Sequence, residues 1–261
     1  HLIYSRFWHR FLYDIGEVPV EEPYAKRTAQ GLILGPDGEK MSKSKGNVVD
    51  PNDVVDEFGA DVLRVYTLFM GDYASAAPWN ESSVRGCKRF IDRTASLTEL
   101  VKGRGVTPQL ETMFHKTVKK VSLDIEAMKF NTAIAQLMTL INEIYDCGSL
   151  TRDELEIFIK LLSPFAPHIC EEIWETLGNL GFVSVAAWPE WDESKTVDAM
   201  VEYAVQILGK LRGTVTVPAD ADRVLVLETA KKSERIAPLL QGKQIVKEIF
   251  VPGKLVNLVV R

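Results

Sequence analysis

The sequence predicts a mixed, mainly α-helical fold that ends in a small α+β domain. Between residues 82 and 179, apolar side chains recur at helical spacing through several successive segments. After residue 200 the chain changes to short runs of valine, isoleucine and leucine separated by turn residues. We therefore expect a helix bundle followed by a domain of about 60 residues, which is near the lower limit for independent folding.

The first 70 residues are expected to contain three helices and one strand. Apolar and aromatic residues at helical spacing predict a strongly hydrophobic helix over 2–12. The apolar run 31–34 is closed by turn residues and predicts a buried strand. Asp50 and Pro51 are typical of an N-cap and a first helical position, so a short helix should run from there to Gly59 and a second should follow it.

The central region is expected to form an antiparallel helix bundle. Amphipathic helices are predicted over 82–102, 109–128 and 130–146. Thr151 and Glu154 have the spacing of a capping box and should open a fourth helix. A fifth should follow, because a proline at its start and a glycine at its end are typical helix boundaries.

The last 80 residues are expected to form a linker and the small domain. Residues 181–199 contain Gly181 and Trp188-Pro189, which indicate a loop. The predicted strand, helix and strand regions of the domain are 201–217, 231–241 and 245–260.

Charge is distributed unevenly, although the net charge of -5 argues against a uniformly basic nucleic-acid binder. Residues 150–199 hold ten acidic and three basic side chains, whereas residues 200–261 hold ten basic and six acidic ones. The final segment is therefore the better candidate for contact with a polyanion. On charge alone, a solvated face is an equal alternative.

The three cysteines are isolated, so neither a metal site nor a disulfide framework is predicted, and a reducing cytosol is expected. The sequence has no apolar run of membrane-spanning length and no secretory leader, so a cytoplasmic protein without membrane contact is predicted. His1 is followed at once by helical sequence without an initiator methionine. We expect that the chain begins inside a larger protein.

A lysine-rich loop follows the predicted strand at 31–34 and carries the strongest chemical signal. Residues 40–47 contain three lysines and two serine hydroxyls. Such a loop offers positive charge and hydrogen-bond donors to phosphate oxygens, as stabilising a departing pyrophosphate requires. The glycine spacing of a Walker A loop is absent. Taken only as a charged loop, a solvated turn is the alternative.

The string Lys40-Met41-Ser42-Lys43-Ser44 resembles the signature loop of the class I aminoacyl-tRNA synthetases. The segments that follow it, 46–51 and 58–64, are similar to the same family. Further segments resemble the bacterial leucyl branch, and the resemblance covers essentially the whole chain: 2–8, 30–34, 131–133, 164–169 and 251–259. The chain is thus similar to the C-terminal portion of a leucyl-tRNA synthetase.

This resemblance implies a fold in parts: the end of a Rossmann-type catalytic domain, an anticodon-binding-type helix bundle, a linker and a small α+β tRNA-binding domain, over 1–80, 81–180, 181–199 and 200–261. It implies that the parent enzyme is a ligase that uses ATP and Mg²⁺ to join leucine to its tRNA. Lys43 would contact ATP, with Lys40, Met41, Ser42 and Ser44 in the same catalytic loop. Lys210, Arg212 and Lys254 are candidate tRNA contacts, and no protein-bound metal is implied.

Two departures from the family pattern limit what this chain can do alone. The second ATP motif, His-x-Gly-His, is absent, so the N-terminal catalytic half is an expected partner and the isolated chain should be inactive and bind no cofactor firmly. Leu208 stands where relatives have asparagine, which puts one amide contact in that predicted strand in doubt. The alternatives are a non-catalytic tRNA-binding subunit of a split synthetase and, less well supported, a structural scaffold.

Overall fold

The computed structural model describes residues 1–197, 200–219 and 221–261, and the chain divides into two compact units. The first unit contains 1–97, 121–138 and 162–185, and the second contains 98–120, 139–161 and 186–261. Residues 198 and 199 of the predicted linker and residue 220 of the predicted last domain lie outside the described residues. The predicted domain boundaries stay a prediction.

Helices account for most of the regular structure, as the sequence predicts. The α-helices are α1 (Leu2–Asp14), α2 (Pro51–Phe58), α3 (Ala60–Phe69), α4 (Glu81–Ala95), α5 (Glu111–Glu126), α6 (Phe130–Cys147), α7 (Arg152–Leu162), α8 (Pro167–Thr176), α9 (Arg223–Lys232) and α10 (Ala237–Leu240). Short 3₁₀ turns lie at Lys43–Lys45, Ser96–Leu100, Val183–Val185 and Glu193–Thr196. Among the described residues, none of the helices has the length and apolar character needed to cross a membrane.

The strands form two small sheets, and the mixed, mainly α fold class is confirmed. The strands are β1 (Ile33–Leu34), β2 (Ala77–Pro78), β3 (Met200–Ile207), β4 (Lys210–Pro218), β5 (Ile245–Val251) and β6 (Leu255–Val260). β1 and β2 pair in parallel. The second sheet has the order β4-β3-β6-β5, with β3 and β6 parallel and the outer pairs antiparallel.

The helix boundaries follow the predicted capping residues. The Asp50 carboxylate accepts a hydrogen bond of 2.8 Å from the backbone N–H of Asn52 at the start of α2. At α7 the Thr151 hydroxyl accepts from the Glu154 N–H at 3.1 Å, and the Glu154 carboxylate accepts from the Thr151 N–H at 2.8 Å. This reciprocal pair is a capping box, and it satisfies two donors that a helix start leaves unpaired.

The small sheet of the second unit buries one face beneath α9 and α10. Valine, leucine and isoleucine side chains alternate inward along the strands, as in a half-buried sheet. The buried cluster comprises Tyr203, Val205, Ile207, Val215, Val217, Val226, Leu227, Ala230, Ile236, Val256, Leu258 and Val260. The predicted α+β character of this segment is therefore confirmed for its described residues.

The run 31–34 is not the buried strand that the sequence predicts. Only Ile33 and Leu34 pair, with Ala77 and Pro78, and the side chains of Leu32 and Ile33 are exposed. An apolar run is buried only where other elements cover both of its faces, and this chain supplies a two-residue partner strand.

The predicted helix 231–241 is also wrong in its position. The structure places α9 at Arg223–Lys232 and a single turn, α10, at Ala237–Leu240. The Asp222 carboxylate caps α9 by accepting from the Leu225 N–H at 2.8 Å. The Val224-Leu225-Val226 run of α9 has a local preference for a strand. It is helical because Asp222 caps it and because Val226 is buried against the sheet.

Leu208 lies in a turn, and not in the strand where the sequence analysis placed it. Ile207 pairs with Lys210, so Leu208 and Gly209 form a two-residue hairpin loop. Their φ angles are +51° and +77°, the left-handed values that a type I′ turn requires. Asparagine tolerates this backbone better than leucine does.

Replacing Leu208 by asparagine is therefore expected to stabilise the small sheet by about 1 kcal/mol. Hydrogen exchange of the β3 amides in the whole chain measures the gain, because these amides open with the sheet. Leu211→Asn is the matched control, since Leu211 is exposed and lies in β4 outside the turn. Slower exchange in both variants, or in neither, would contradict the turn argument.

Candidate functional site

The lysine loop begins at a tight hairpin that follows β1. Leu34 bridges Lys40 in antiparallel fashion, and the Gly35 N–H donates to the Glu39 carbonyl at 2.8 Å. Gly38, with φ of +77°, turns the chain between them. This hairpin places Lys40 opposite Leu34, at the base of the loop.

Asn47 holds the two ends of the loop together. Its side-chain oxygen accepts from the Ser42 N–H at 2.9 Å, and its amide nitrogen donates to Asp37 at 3.0 Å. Gly35 is needed beside it, because a Cβ there would lie 2.9 Å from the Asn47 nitrogen. The N–H of Glu39, donating to Asp37, lowers the pKa of that carboxyl and keeps it ionised as an acceptor.

The loop presents its cations to solvent. Lys43 opens the 3₁₀ turn Lys43–Lys45, and Gly46 ends the turn with φ of +65°. Lys45 pairs with Glu39 at 3.4 Å, whereas neither Lys40 nor Lys43 makes an ion pair within the part of the chain that the structure describes. Both ammonium groups are thus available to an anion.

The hydroxyls of Ser42 and Ser44 are hydrogen bonded to each other at 2.6 Å. The structure therefore brings the predicted residues Lys40, Ser42, Lys43 and Ser44 into one exposed loop with cations and donors on it. Such an arrangement can bind phosphate oxygens and stabilise negative charge on a leaving group.

Met41 differs from the polar residues of the loop, because its side chain is turned towards the rest of the protein. It is half-buried and lines a cavity of about 360 Å³. The other side chains of this largely apolar cavity come from β1, α2, α3, the segment before α2 and the residue after β2: Ile33, Val49, Pro51, Leu63, Arg64, Thr67 and Trp79. Met41 therefore faces α3 across this cavity.

The three predicted tRNA contacts do not form a single cluster. Lys210 and Arg212 are exposed on β4 beside the hairpin turn. Lys254 is exposed in the turn before β6, where its carbonyl accepts from the Ala204 N–H at 3.2 Å. Because β3 lies between β4 and β6, Lys254 stands on the other side of that strand.

Sequence reasoning missed the residues that support the loop. Asn47 and Asp37 bind no substrate atom in the predicted scheme, yet they set the loop geometry. The signal was present, since Asn47 belongs to the segment 46–51 that resembles the family. A short polar side chain beside a glycine-rich loop can bond the backbone, and that chemistry alone would have singled it out.

Two family models match the chain. Residues 4–80 match the class I tRNA synthetases for isoleucine, leucine, methionine and valine, and residues 109–228 match the anticodon-binding domain of tRNA ligases. The first match contains the lysine loop and α1–α3, and the second contains the helices α5–α8 and the first strands of the small sheet. The chain belongs to the class I aminoacyl-tRNA synthetases of this group.

Within that group the similarity is to leucine–tRNA ligase. The chain is 52% identical over 262 residues to the leucine–tRNA ligase of Alkaliphilus oremlandii strain OhILAs, which covers all of this chain and 33% of the relative. A crystal structure of the LeuRS of Agrobacterium radiobacter K84, in a ternary complex with tRNA and LeuAMS, matches with a TM-score of 0.71 and 32% identity. That match covers all of this chain and 37% of the other. The chain thus spans about a third of the length of both proteins.

Proposed function

We propose that this chain is the C-terminal part of a leucine–tRNA ligase, which activates leucine with ATP and esterifies it to its tRNA. The observation that carries the proposal is the exposed loop in a segment that matches the family, where Lys40 and Lys43 have no ion pair among the described residues. In this scheme the ammonium groups contact the triphosphate and offset the charge that develops on the departing pyrophosphate. Leucine-dependent exchange between ATP and pyrophosphate in the intact enzyme tests it.

The loop suits phosphate oxygens better than a metal ion. It offers lysines and hydroxyls, whereas Mg²⁺ prefers carboxylates and the oxygens of a nucleotide. The nearby Asp37 carboxylate is already bonded by Asn47 and the Glu39 N–H. Mg²⁺ would therefore enter with ATP, held by the triphosphate, and would neutralise part of its charge.

The first helix supports the proposal that a further part of the enzyme docks here. None of the residues of α1 is buried, although the helix is rich in aromatic and aliphatic side chains. Ile3 is 88% exposed, Phe7 71% and Trp8 60%. A continuous apolar helix face of this kind marks an interaction surface. We assign it to the missing N-terminal catalytic half.

The isolated chain is expected to show no leucine-dependent pyrophosphate exchange. We expect this because the chain lacks the family's His-x-Gly-His motif and spans about a third of the length of its relatives. A purified sample incubated with leucine, ATP, Mg²⁺ and labelled pyrophosphate tests this. Exchange above the level without leucine would contradict it.

The basic residues of the small domain are expected to bind phosphates of leucine tRNA. Changing Lys210, Arg212 and Lys254 together to alanine should weaken binding and make log K less dependent on log salt concentration. The slope should fall by about 1 for each phosphate that is no longer neutralised. Binding measured by anisotropy over a series of salt concentrations gives that slope.

A control with the same change in charge comes from the same domain. Arg223, Lys231 and Lys232 lie on α9, and the two lysines are paired with Glu248 and Glu228. Replacing these three residues by alanine should change the slope of log K against log salt concentration less than replacing Lys210, Arg212 and Lys254 does. An equal change in both would show that net charge alone acts, and would sink the assignment of particular residues.

A non-catalytic tRNA-binding subunit of a split synthetase is not favoured. The leucine–tRNA ligase of Alkaliphilus oremlandii is a single chain that is about three times as long and contains the whole matched region. We also propose a cytoplasmic location, because the chemistry uses ATP and tRNA and the three cysteines are free.

A further inference from the structure

Helix α3 carries two charged side chains, Asp61 and Arg64, that bond the corner 164–169 at the start of α8. These residues are three positions apart, so they lie on the same face of α3. Neither belongs to the lysine loop. All of the residues involved lie in the first compact unit.

Asp61 caps α8 from another helix. Ala166 occupies the N-cap position and its side chain makes no capping bond, so the first N–H groups of α8 need another acceptor. The Asp61 carboxylate accepts from the Ile169 N–H at 2.8 Å and the His168 N–H at 3.4 Å. Asp61 is 7% exposed, and a carboxylate at a helix N-terminus is favoured by the helix dipole.

Arg64 bonds the other side of the same corner. Its guanidinium donates to the Pro164 carbonyl at 3.0 Å and to the Phe165 carbonyl at 3.3 Å. These carbonyls belong to the turn between Leu162 and Pro167, the first residue of α8. One face of α3 therefore supplies an acceptor to the start of α8 and donors to the turn that precedes it.

The same arginine also faces the catalytic loop. Arg64 and Met41 line the same cavity of about 360 Å³, together with Leu63 and Thr67 of α3. Elsewhere α3 is fixed by Tyr66, which packs edge-on against Trp79 at 4.7 Å and whose hydroxyl accepts from the Asn80 N–H at 2.7 Å. Met41 thus faces, across this cavity, a helix that is bonded to the corner 164–169.

We infer that Asp61 and Arg64 are positioning residues for adenylate formation: they lock α3 to the corner 164–169 and thereby fix where Met41, and with it Lys43, is held. This inference rests on the proposed function for its catalytic consequence. Its structural part, the dependence of the Met41 environment on Arg64, stands independently of that function.

The first test uses the chain labelled with ¹³C in its methionine methyl groups. The signal of the Met41 methyl group is assigned with the Met41→Leu variant. Its chemical shift is expected to change in Arg64→Gln and to change less in Arg64→Lys, which retains one charged donor. Arg89→Gln is the control, because Arg89 is an exposed arginine on α4. Asp61→Asn gives the same test if Arg64→Gln fails to fold. An unmoved Met41 signal in folded Arg64 and Asp61 variants would overturn the inference.

The second test places the same substitutions in the intact enzyme. Arg64→Gln is expected to lower kcat for leucine-dependent pyrophosphate exchange about tenfold or more with KM for leucine unchanged, because a small displacement of a catalytic group is costly. Arg64→Lys should recover part of the rate. A moved Met41 signal with unchanged kcat would refute the positioning role. An intact wild-type enzyme without leucine-dependent exchange would refute the proposed function instead, while the methyl signals would still decide the structural part.

Discussion

Replacing Lys43 by alanine in the intact enzyme is expected to lower kcat for leucine-dependent pyrophosphate exchange about 100- to 1000-fold. Lys43 stands at the start of the 3₁₀ turn with its ammonium exposed and without an ion pair among the described residues. Its charge is therefore free to act on the transition state, where negative charge grows on the leaving phosphates. The KM for leucine should stay the same, because the loop is proposed to contact the triphosphate.

The neighbouring Lys45 provides the control for this prediction. It carries the same charge two residues away, and its ammonium lies 3.4 Å from the Glu39 carboxylate. Lys45→Ala removes a solvent-exposed pair of small energetic value and should cost far less activity. If Lys43→Ala and Lys45→Ala lose the same activity, net charge in the loop matters and the assignment of Lys43 is wrong.

Glu154→Ala is expected to destabilise the chain by about 3 kcal/mol, a large effect for one substitution. Glu154 is 3% exposed, and its carboxylate accepts three hydrogen bonds. Two come from the N–H and hydroxyl of Thr107, at 2.6 and 2.8 Å, and one from the Thr151 N–H at 2.8 Å. Alanine would leave the buried Thr151 N–H and the two part-buried donors of Thr107 without this acceptor and release the segment before α5.

Urea unfolding of the purified chain, with hydrogen exchange at the Thr107 and Thr151 amides, measures this loss. Glu156→Ala on the same helix is the control, because it removes one glutamate from α7 and leaves the bonds to Thr107 intact. Equal destabilisation by both substitutions would show that Glu154 acts only through helix α7 and not through Thr107.

The bonds of Glu154 show what local pattern predicts well and where it stops. The capping box with Thr151 follows from a spacing of three residues, and the structure confirms it. The bonds to Thr107 join residues 47 positions apart, and no local rule contains them. Helix starts such as Asp50-Pro51 were predictable for the same reason that Thr151 was, because the donor and acceptor are neighbours in sequence.

The errors occur where burial by other elements decides the structure. The run 31–34 is apolar enough to be a buried strand, but this chain provides only Ala77 and Pro78 to pair with it. The run Val224–Val226 favours a strand locally and becomes helical because Asp222 caps it and the sheet covers Val226. Position 208 was assigned to a strand because the left-handed backbone of a two-residue turn is not visible in a leucine.

The phosphate-binding chemistry of the candidate site was predictable from the sequence, but the residues that hold the surrounding structure in place were not. Three lysines and two serines in eight residues indicate phosphate binding by composition alone, and the structure leaves Lys40 and Lys43 unpaired within the described residues. The bonds of Arg64 to the carbonyls of Pro164 and Phe165 cross about 100 residues of sequence. Only the fold brings them together.

The central claim, that this chain completes the ATP site of a leucine–tRNA ligase, is tested most directly by reconstitution. The separately purified N-terminal remainder and this chain are assayed for leucine-dependent pyrophosphate exchange, alone and mixed. We predict exchange only in the mixture, and its loss when this chain carries Lys43→Ala. Equal exchange by the remainder alone, or by a mixture containing the Lys43→Ala chain, would contradict the claim.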